Sequence, residues 1–520
     1  MAQLEVNNLT FGYENAVENV FENVSFSVDT NWKLGLIGRN GKGKTTFLSL
    51  LMKKYPYQGT IHASTPFDYF PFTVTDAQKE QMLSEFMTDL GSGIEEWRVM
   101  IELDKLGLSA DILYRPYSLL SNGEQTKALL AVLFSRENYF LLIDEPTNHL
   151  DMKSRDVVKD YLRTKKGFIL VSHDRDLLDA VVDHILVLNR SSIEVQAGNF
   201  SSWQENKNRT DAFKLAENEK HAKEIGKLQT AARRAADWAD KSEGRKIGFD
   251  PKKEPDRSIS TRSYIGAKTK KMEKRVHAYE KRIDREIAEK EGLLSDIEEP
   301  VELKLFPTEY YKKRIIFAKD LNLSYRLKNG TEKEVLKDFS FELNVGERVV
   351  LSGENGSGKS SLIKAILSGI PAFRNTHEEL LRTFTENAVL SGTLDVGSGL
   401  TVSYINQDTG FLKGSLDEFI RSTGADESLF KAVLRNLDFE RGQFAKNMEE
   451  YSEGQKKKVL IASSLVKSAD LYIWDEPLNY IDVFSRMQIE DLLLKFQPTM
   501  IFVEHDVRFA EKIATRTVRF

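Results

Sequence analysis

The chain has 520 residues, 41% of them hydrophobic and 29% charged, with a formal net charge of −5, a length that allows about three to four domains. The absence of cysteine excludes disulfides, thiolate metal sites and cysteine nucleophiles, and fits a reducing, cytoplasmic location. No apolar run approaches the roughly 18–20 residues that a membrane span needs, and the start "MAQLEVNNLTFGY" lacks the basic-then-apolar pattern of a secretion signal.

In chain order, the first chemical motif follows the apolar strand "WKLGLI" at 32–37. "GRNGKGKTT" (38–46) fits GxxxxGK[ST], a nucleotide-binding loop that includes Gly38 and Asn40 and in which Gly41 and Gly43 let the backbone curl so that its N–H groups point at phosphate oxygens. Lys44 then meets the β- and γ-phosphates, Thr45 supplies a hydroxyl to Mg²⁺, and Thr46 lies beside it. "LSNGE" (120–124) reads as a helix start, with Ser121, Gly123 and Glu124 at the turn. "FLLIDE" (140–145) is a buried strand ending in two acids at its carboxyl end, where open α/β sheets place ligands. Asp144 is expected in the Mg²⁺ shell and Glu145 to polarise an attacking water. A third strand, "FILVSH" (168–173), ends in His173, expected to sense the γ-phosphate.

From 206 to 300 the pattern becomes helical, with apolar residues stepping by three and four through Ile225, Leu228 and Ala232, and again through Val276, Tyr279, Ile283 and Ile287. These stripes predict an antiparallel hairpin whose first arm, about 206–240, would be roughly 50 Å long. Gly244, Gly248, Pro251 and Pro255 break it, placing a tip at about 241–265. Residues 220–290 hold 21 Lys/Arg against 12 Asp/Glu, a local +9. Arg245, Lys246, Lys252, Lys253 and Arg262 suit phosphate contacts on structured RNA. Phe249, Ile259 and Tyr264 would stack on unpaired bases. A solvated charged face, with Phe249 tucked against the helices, is the other reading of the same residues.

The motifs then recur. "RVVLS" leads into "GENGSGKSS" (353–361), with Gly353, Asn355, Gly356, Gly358, Lys359, Ser360 and Ser361 in the roles above. "YSEGQ" (451–455) supplies Ser452, Gly454 and Gln455; "LYIWDE" supplies Asp475 and Glu476; "MIFVEH" supplies His505. Ser121 to Ser452 and Asp144 to Asp475 are each 331 positions apart, and His173 to His505 is 332. Shared order and spacing mark a duplication with an insert between the copies.

A Ser-x-Gly-[Glu/Gln] turn lying between a P-loop and a DE strand resembles the signature of the ATP-binding cassette (ABC) superfamily, and the resemblance covers nearly all of both halves. It implies an α/β fold of two P-loop ABC-type nucleotide-binding domains, 1–205 and 301–520, joined by a long antiparallel α-helical hairpin linker at 206–300. It implies an ATPase with ATP and Mg²⁺ as cofactors, working as a monomer through intramolecular cassette pairing. Tyr13 and Tyr325 look like the adenine-stacking aromatics, Gln407 like the Q-loop residue contributing to the metal, and Asn148–Asp151 and Asn479–Asp482 like D-loops. In such proteins the halves sandwich nucleotide head to tail, so Lys44 would share its site with Ser452 and Gly454, and Lys359 with Ser121 and Gly123. One departure stands out: "YFPFT" replaces "YINQD", putting Phe72 where the glutamine is expected. Either this is a real substitution, with Gln78 a candidate stand-in, or the alignment slips there.

Tandem cassettes with a linker of this length and no membrane domain resemble the ABC-F class, and most of the chain is similar to its Lsa/Vga-type antibiotic-resistance members. That implies a partner in the bacterial 70S ribosome, with 23S rRNA and P-site tRNA met by the linker. It also implies relief of lincosamides, pleuromutilins and streptogramin A at the peptidyl-transferase centre from the E site. Only 77 positions separate Lys44 from Ser121, too few for the arm subdomain of housekeeping members, and the chain ends 15 residues after His505. A housekeeping translation factor is the nearest alternative, and the twin ATPase subunit of a membrane exporter a more distant one.

Overall fold

The computed structural model describes the chain except residues 1–2, 14–18, 92, 149, 190–191, 248–273, 275–277, 279–280, 284, 286–302, 327–330 and 355, and the side chains of 232 and 235–247. Asn355, Phe249, Lys252, Lys253, Ile259, Arg262 and Tyr264 therefore lie outside the described residues, as do the side chains of Arg245 and Lys246. The chain divides into two compact units, one formed by Met1–Ser201 with Pro300–Phe520 and the other by Ser202–Glu299.

The first unit contains the duplication as two sheets of the same design. In the first half the strand order is Phe67–Phe70, Phe140–Asp144, Phe168–Val171, Lys33–Gly38, His184–Leu188 and Ile193–Ala197. All neighbours are parallel except the last pair. In the second half Val402–Ile405, Leu471–Asp475, Met500–Val503, Arg348–Ser352 and Arg516–Arg519 repeat the order, all parallel. The short apolar runs seen in the sequence are these central strands. Phe140–Ile143 and Leu471–Asp475 are buried along their whole length, as expected where helices cover both faces of a parallel sheet. Each half adds a three-stranded antiparallel sheet, centred on Gln3–Phe11 in the first and Arg314–Arg326 in the second. Leu4, Val6, Phe47 and Leu48 join the first of these to its parallel sheet in one core; Leu321, Leu323, Leu362 and Ile363 do the same in the second.

The second unit contains most of one helix, Phe200–Ile247, 48 residues and so about 72 Å long. It starts before the expected 206 because Asp179 takes the Ser201 N–H at 2.7 Å, satisfying a donor that a helix start otherwise leaves open. It also runs through Gly244, where a break was expected. A single helical glycine costs only about 1 kcal/mol relative to alanine, too little by itself to end a helix of this length. Ile225 and Ile283, both on the expected stripes, are buried. Among the described residues no helix is long and apolar enough to cross a membrane.

Candidate nucleotide sites

Each P-loop is a strand-to-helix turn closed by glycine. Gly43 (φ 87°) precedes the helix Lys44–Leu51 and Gly358 (φ 103°) precedes Lys359–Ser368. Neither helix start has a side-chain cap, so its first N–H groups point into the loop, an arrangement suited to anions. Lys44 Nζ donates to the Gly38 carbonyl at 2.7 Å and Lys359 Nζ to that of Gly353 at 2.8 Å. Burial lowers both ammonium groups from their ordinary pKa. Tyr13 and Tyr325 reach the same loops, with their hydroxyls 2.9 Å from Thr46 Oγ1 and 3.1 Å from Ser361 Oγ.

The acids at the strand ends sit opposite. Thr45 Oγ1 donates to Asp144 Oδ2 at 3.0 Å, and Ser360 is placed correspondingly beside Asp475, where its hydroxyl works to lower the carboxyl. Burial pushes the Asp475 carboxyl up to about 6 and raises Asp144 as well. Glu145 and Glu476 both hold left-handed backbone, φ 50° and 48°. Such strain of about 1–3 kcal/mol per residue persists where the surroundings enforce it. His173 Nε2 lies 3.3 Å from Glu145 Oε1, and His505 Nε2 lies 3.3 Å from Glu476 Oε1.

Beyond that symmetry the two glutamates differ. Glu476 Oε2 accepts from Gln407 Nε2 at 2.8 Å and from Asn479 Nδ2 at 2.7 Å. Burial works to raise its carboxyl, but the His505 and Gln407 bonds outweigh burial and hold it below the usual range. Glu145 has the backbone N–H of His173 at 3.3 Å, and burial followed by the Asp144 charge pushes it up to about 8. Strand register settles the alignment. Phe67 pairs with Phe140 as Val402 pairs with Leu471, which equates Tyr69 with Tyr404 and Phe72 with Gln407. Gln78 is no stand-in, because its Oε1 takes the Thr75 N–H at 3.0 Å in an exposed capping box.

The halves also meet head to tail. Asn40 Nδ2 donates to the Tyr480 carbonyl at 2.8 Å, and Arg39 pairs with Asp438. Gly454 lies so close that an added Cβ would stand 2.6 Å from Tyr480 O and 3.2 Å from Asn40 Nδ2. The second P-loop borders a cavity of about 480 Å³ that also takes in Asn122, Leu150 and Arg155 of the first half, with Glu476 and His505. Ser121 and Ser452 cap the helices Asn122–Phe134 and Glu453–Val466, and Glu124 and Gln455 complete the capping boxes. Asp151 and Asp482 cap the helices that follow the DE strands.

Several polar residues here were not anticipated. Lys457, 2% exposed, donates to the carbonyls of Asn406, Gln407 and Glu476 at 3.0–3.2 Å. Lys458 pairs with the fully buried Asp482 at 3.3 Å. Their only signal in the sequence is the run Lys456–Lys458, which reads as a solvated face.

A family model described as ABC transporter matches residues 21–148 and 336–479. The ribosome protection protein VmlR of Bacillus subtilis is 27% identical over 96% of this chain and 84% of its own length. The erythromycin resistance ATP-binding protein MsrA of Staphylococcus epidermidis is 26% identical over 93% and 91%, and the ATP-binding protein Uup of Caulobacter vibrioides 27% over 96% and 74%. Among solved structures, the archaeal ribosome recycling factor aABCE1, in complex with the stalk protein aP1, superposes with a TM-score of 0.58. It is 18% identical, over 98% of this chain and 87% of that one, a likeness of fold. The chain belongs to the ABC transporter family of ATPases, and its relatives are ABC-F type ATP-binding proteins.

Proposed function

We propose that the chain is a ribosome-acting ABC-F ATPase in which ATP holds the two cassettes together and the linker at 206–300 acts on the ribosome near the peptidyl-transferase centre. The observation that carries the ATP-driven part is Gly454 packed against Asn40, the signature turn of one half on the P-loop of the other. The names of VmlR and MsrA, and their alignment along nearly the whole chain, support the ribosome and drug protection. Uup, at the same identity, is named as an ATP-binding protein with no drug in its name, and the second reading is accordingly a housekeeping factor that shares the ribosome and omits the drug.

In this reading Lys44 and Lys359 bind the β/γ-phosphates, Tyr13 and Tyr325 stack on adenine, and Ser452–Gly454 and Ser121–Gly123 close over the γ-phosphate from the opposite half. Glu145 and Glu476 accept a proton from water, while His173 and His505 orient the glutamates and the phosphate. His173 does so as a neutral imidazole, since burial and the charges of Lys44 and Arg486 hold its pKa well below the usual range. The residues fit Mg²⁺. Asp475 Oδ1 is buried without a hydrogen-bond partner beside the Ser360 hydroxyl, a vacant lone pair that a cation would satisfy. Thr45 with Asp144, and Ser360 with Asp475 and Gln407, would hold it. Among the described residues no cluster of three or more acids and histidines offers a full cage. That suits an ion coordinated chiefly by phosphates and water. Bound there, Mg²⁺ neutralises phosphate charge.

The test uses the Glu145→Gln/Glu476→Gln chain, which binds ATP without turnover, sedimented with bacterial ribosomes through sucrose. ATP-dependent co-sedimentation is expected; protein left in the supernatant with ATP present would contradict the ribosome as partner. Shortening 245–262 is expected to abolish drug protection and leave that binding intact. Loss of both together, or of neither, would contradict the division of labour.

A further inference from the structure

The first site lacks the glutamine of its twin, yet one polar group reaches its acidic strand from the same segment. Tyr69 lies on Phe67–Phe70, in register with Leu142, two residues before Asp144. Its hydroxyl donates to Asp144 Oδ2 at 3.2 Å, the oxygen that also accepts from Thr45. Tyr404 occupies the same register position, opposite Ile473, but its hydroxyl goes to Asn406 Oδ1 at 3.3 Å.

The reason lies in the next residues. Asn406 corresponds to Pro71, which has no side-chain acceptor, and Gln407 corresponds to Phe72. In the second half Lys457 also ties the Asn406–Gln407 carbonyls to that of Glu476. Its counterpart is Thr126, whose hydroxyl turns back to the Asn122 carbonyl at 2.9 Å. Instead of a lysine latch, the first half has a cavity of about 340 Å³ between Phe70–Pro71 and the helix bearing Thr126. Three exchanges thus remove the amide, the competing acceptor and the latch, while beyond the backbone pairing of the two strands the Tyr69 hydroxyl reaches the Asp144 carboxylate itself.

We propose that Tyr69 is the positioning residue of the first nucleotide site, fixing the Asp144 carboxylate for its divalent cation in place of the missing Q-loop glutamine. A phenol hydrogen bond to Oδ2 orients the carboxylate and leaves Oδ1 as the more basic oxygen, as an outer-shell donor does at metal sites. Tyr404 has no such role, because Gln407 acts in the second site. The inference rests on the reading of the first P-loop as a nucleotide site.

The experiment isolates the first site in the full chain with Lys359→Ala. It titrates Mn²⁺ against a fluorescent ATP analogue and follows bound Mn²⁺ by electron paramagnetic resonance, alongside turnover. Tyr69→Phe is expected to weaken Mn²⁺ roughly ten-fold, the scale of outer-shell losses, with metal-free nucleotide affinity unchanged. Tyr404→Phe, measured with Lys44→Ala, is expected to leave Mn²⁺ affinity at the second site as it was. Phe72→Gln added to Tyr69→Phe is expected to restore most of the loss, which a purely structural tyrosine would not allow. Unchanged Mn²⁺ affinity in Tyr69→Phe, an equal loss in Tyr404→Phe, or failure of Phe72→Gln to rescue would overturn the proposal. If the Lys359→Ala parent binds no Mn²⁺–nucleotide, the nucleotide-site reading itself falls, and this inference with it.

Discussion

Glu145 and Glu476 occupy the same place in the same motif with the same unusual backbone, and still face different chemistry. Glu476 is held ionised by His505 and Gln407 after burial is overcome, whereas Glu145, without the amide, is pushed up to about 8. A base that is already ionised at neutral pH accepts a proton from water more readily, so the second site should turn over faster. Glu476→Gln is expected to lower steady-state ATP hydrolysis by roughly 10²-fold, the scale of a lost general base, and Glu145→Gln by clearly less. Equal losses would show that bound nucleotide erases the difference. Gln407→Ala should move the chain in the direction of Glu476→Gln, while Phe72→Ala should leave turnover nearly unchanged.

Between residues and the whole chain, helix starts hold the sites together. Ser452 accepts from the Gln455 N–H and caps Glu453–Val466, so Ser452→Ala should cost about 1 kcal/mol of stability, read from denaturant unfolding. Gly454→Ala is different in kind. Alanine favours a helix by about 1 kcal/mol over glycine, but its Cβ would meet the Tyr480 carbonyl at 2.6 Å. The expected result is a large loss of ATP hydrolysis; full activity would show that this contact is dispensable. The elements legible in the sequence are those whose chemistry fixes residue types at fixed spacing, such as the P-loop glycines around Lys44 and Lys359 and the strands ending at Asp144 and Asp475. The start of the long helix was not legible, because the Asp179 carboxylate that caps Ser201 lies 22 residues upstream. Lys457 and Lys458 were hidden for another reason. Local pattern cannot tell a buried lysine satisfied by distant carbonyls, or by Asp482, from a solvated one.

At the scale of the molecule, the cassettes are joined by charges that share no neighbourhood in sequence. Arg175 of the first half pairs with Glu490 and Asp506 of the second, and Arg486 and Lys512 reach the same two acids. Arg508 returns to Asp176 and Asp179 of the first half. Arg175 is 5% exposed and Glu490 1%. Glu490→Ala should therefore destabilise by about 3 kcal/mol, through charges left buried without their partner. Arg175→Met/Glu490→Leu should recover most of that in the same unfolding assay. The pH dependence follows from Asp482 and Asp506. Burial works to raise both carboxyls, but Lys458 and Lys44 outweigh it at the first, and Arg486 and Arg175 at the second, leaving both below the usual range. Unfolded aspartates take up protons near pH ~3.9, where the folded ones do not. Their stabilisation is therefore present above that pH and lost as pH falls below it. Urea midpoints should be insensitive to these groups from pH 5 to 7 and drop steeply below about pH 4, less steeply in Asp506→Asn.

The central claim is that each P-loop completes its site with the signature turn of the other half. The most direct measurement is the nucleotide retained per chain after rapid gel filtration of Glu145→Gln/Glu476→Gln with ATP and Mg²⁺. Nucleotide should be retained at both P-loops. Adding Ser452→Arg should release the nucleotide held by Lys44 while that held by Lys359 remains, and Ser121→Arg should do the reverse. If Ser452→Arg instead empties the site of Lys359, or neither substitution releases anything, the head-to-tail arrangement is contradicted.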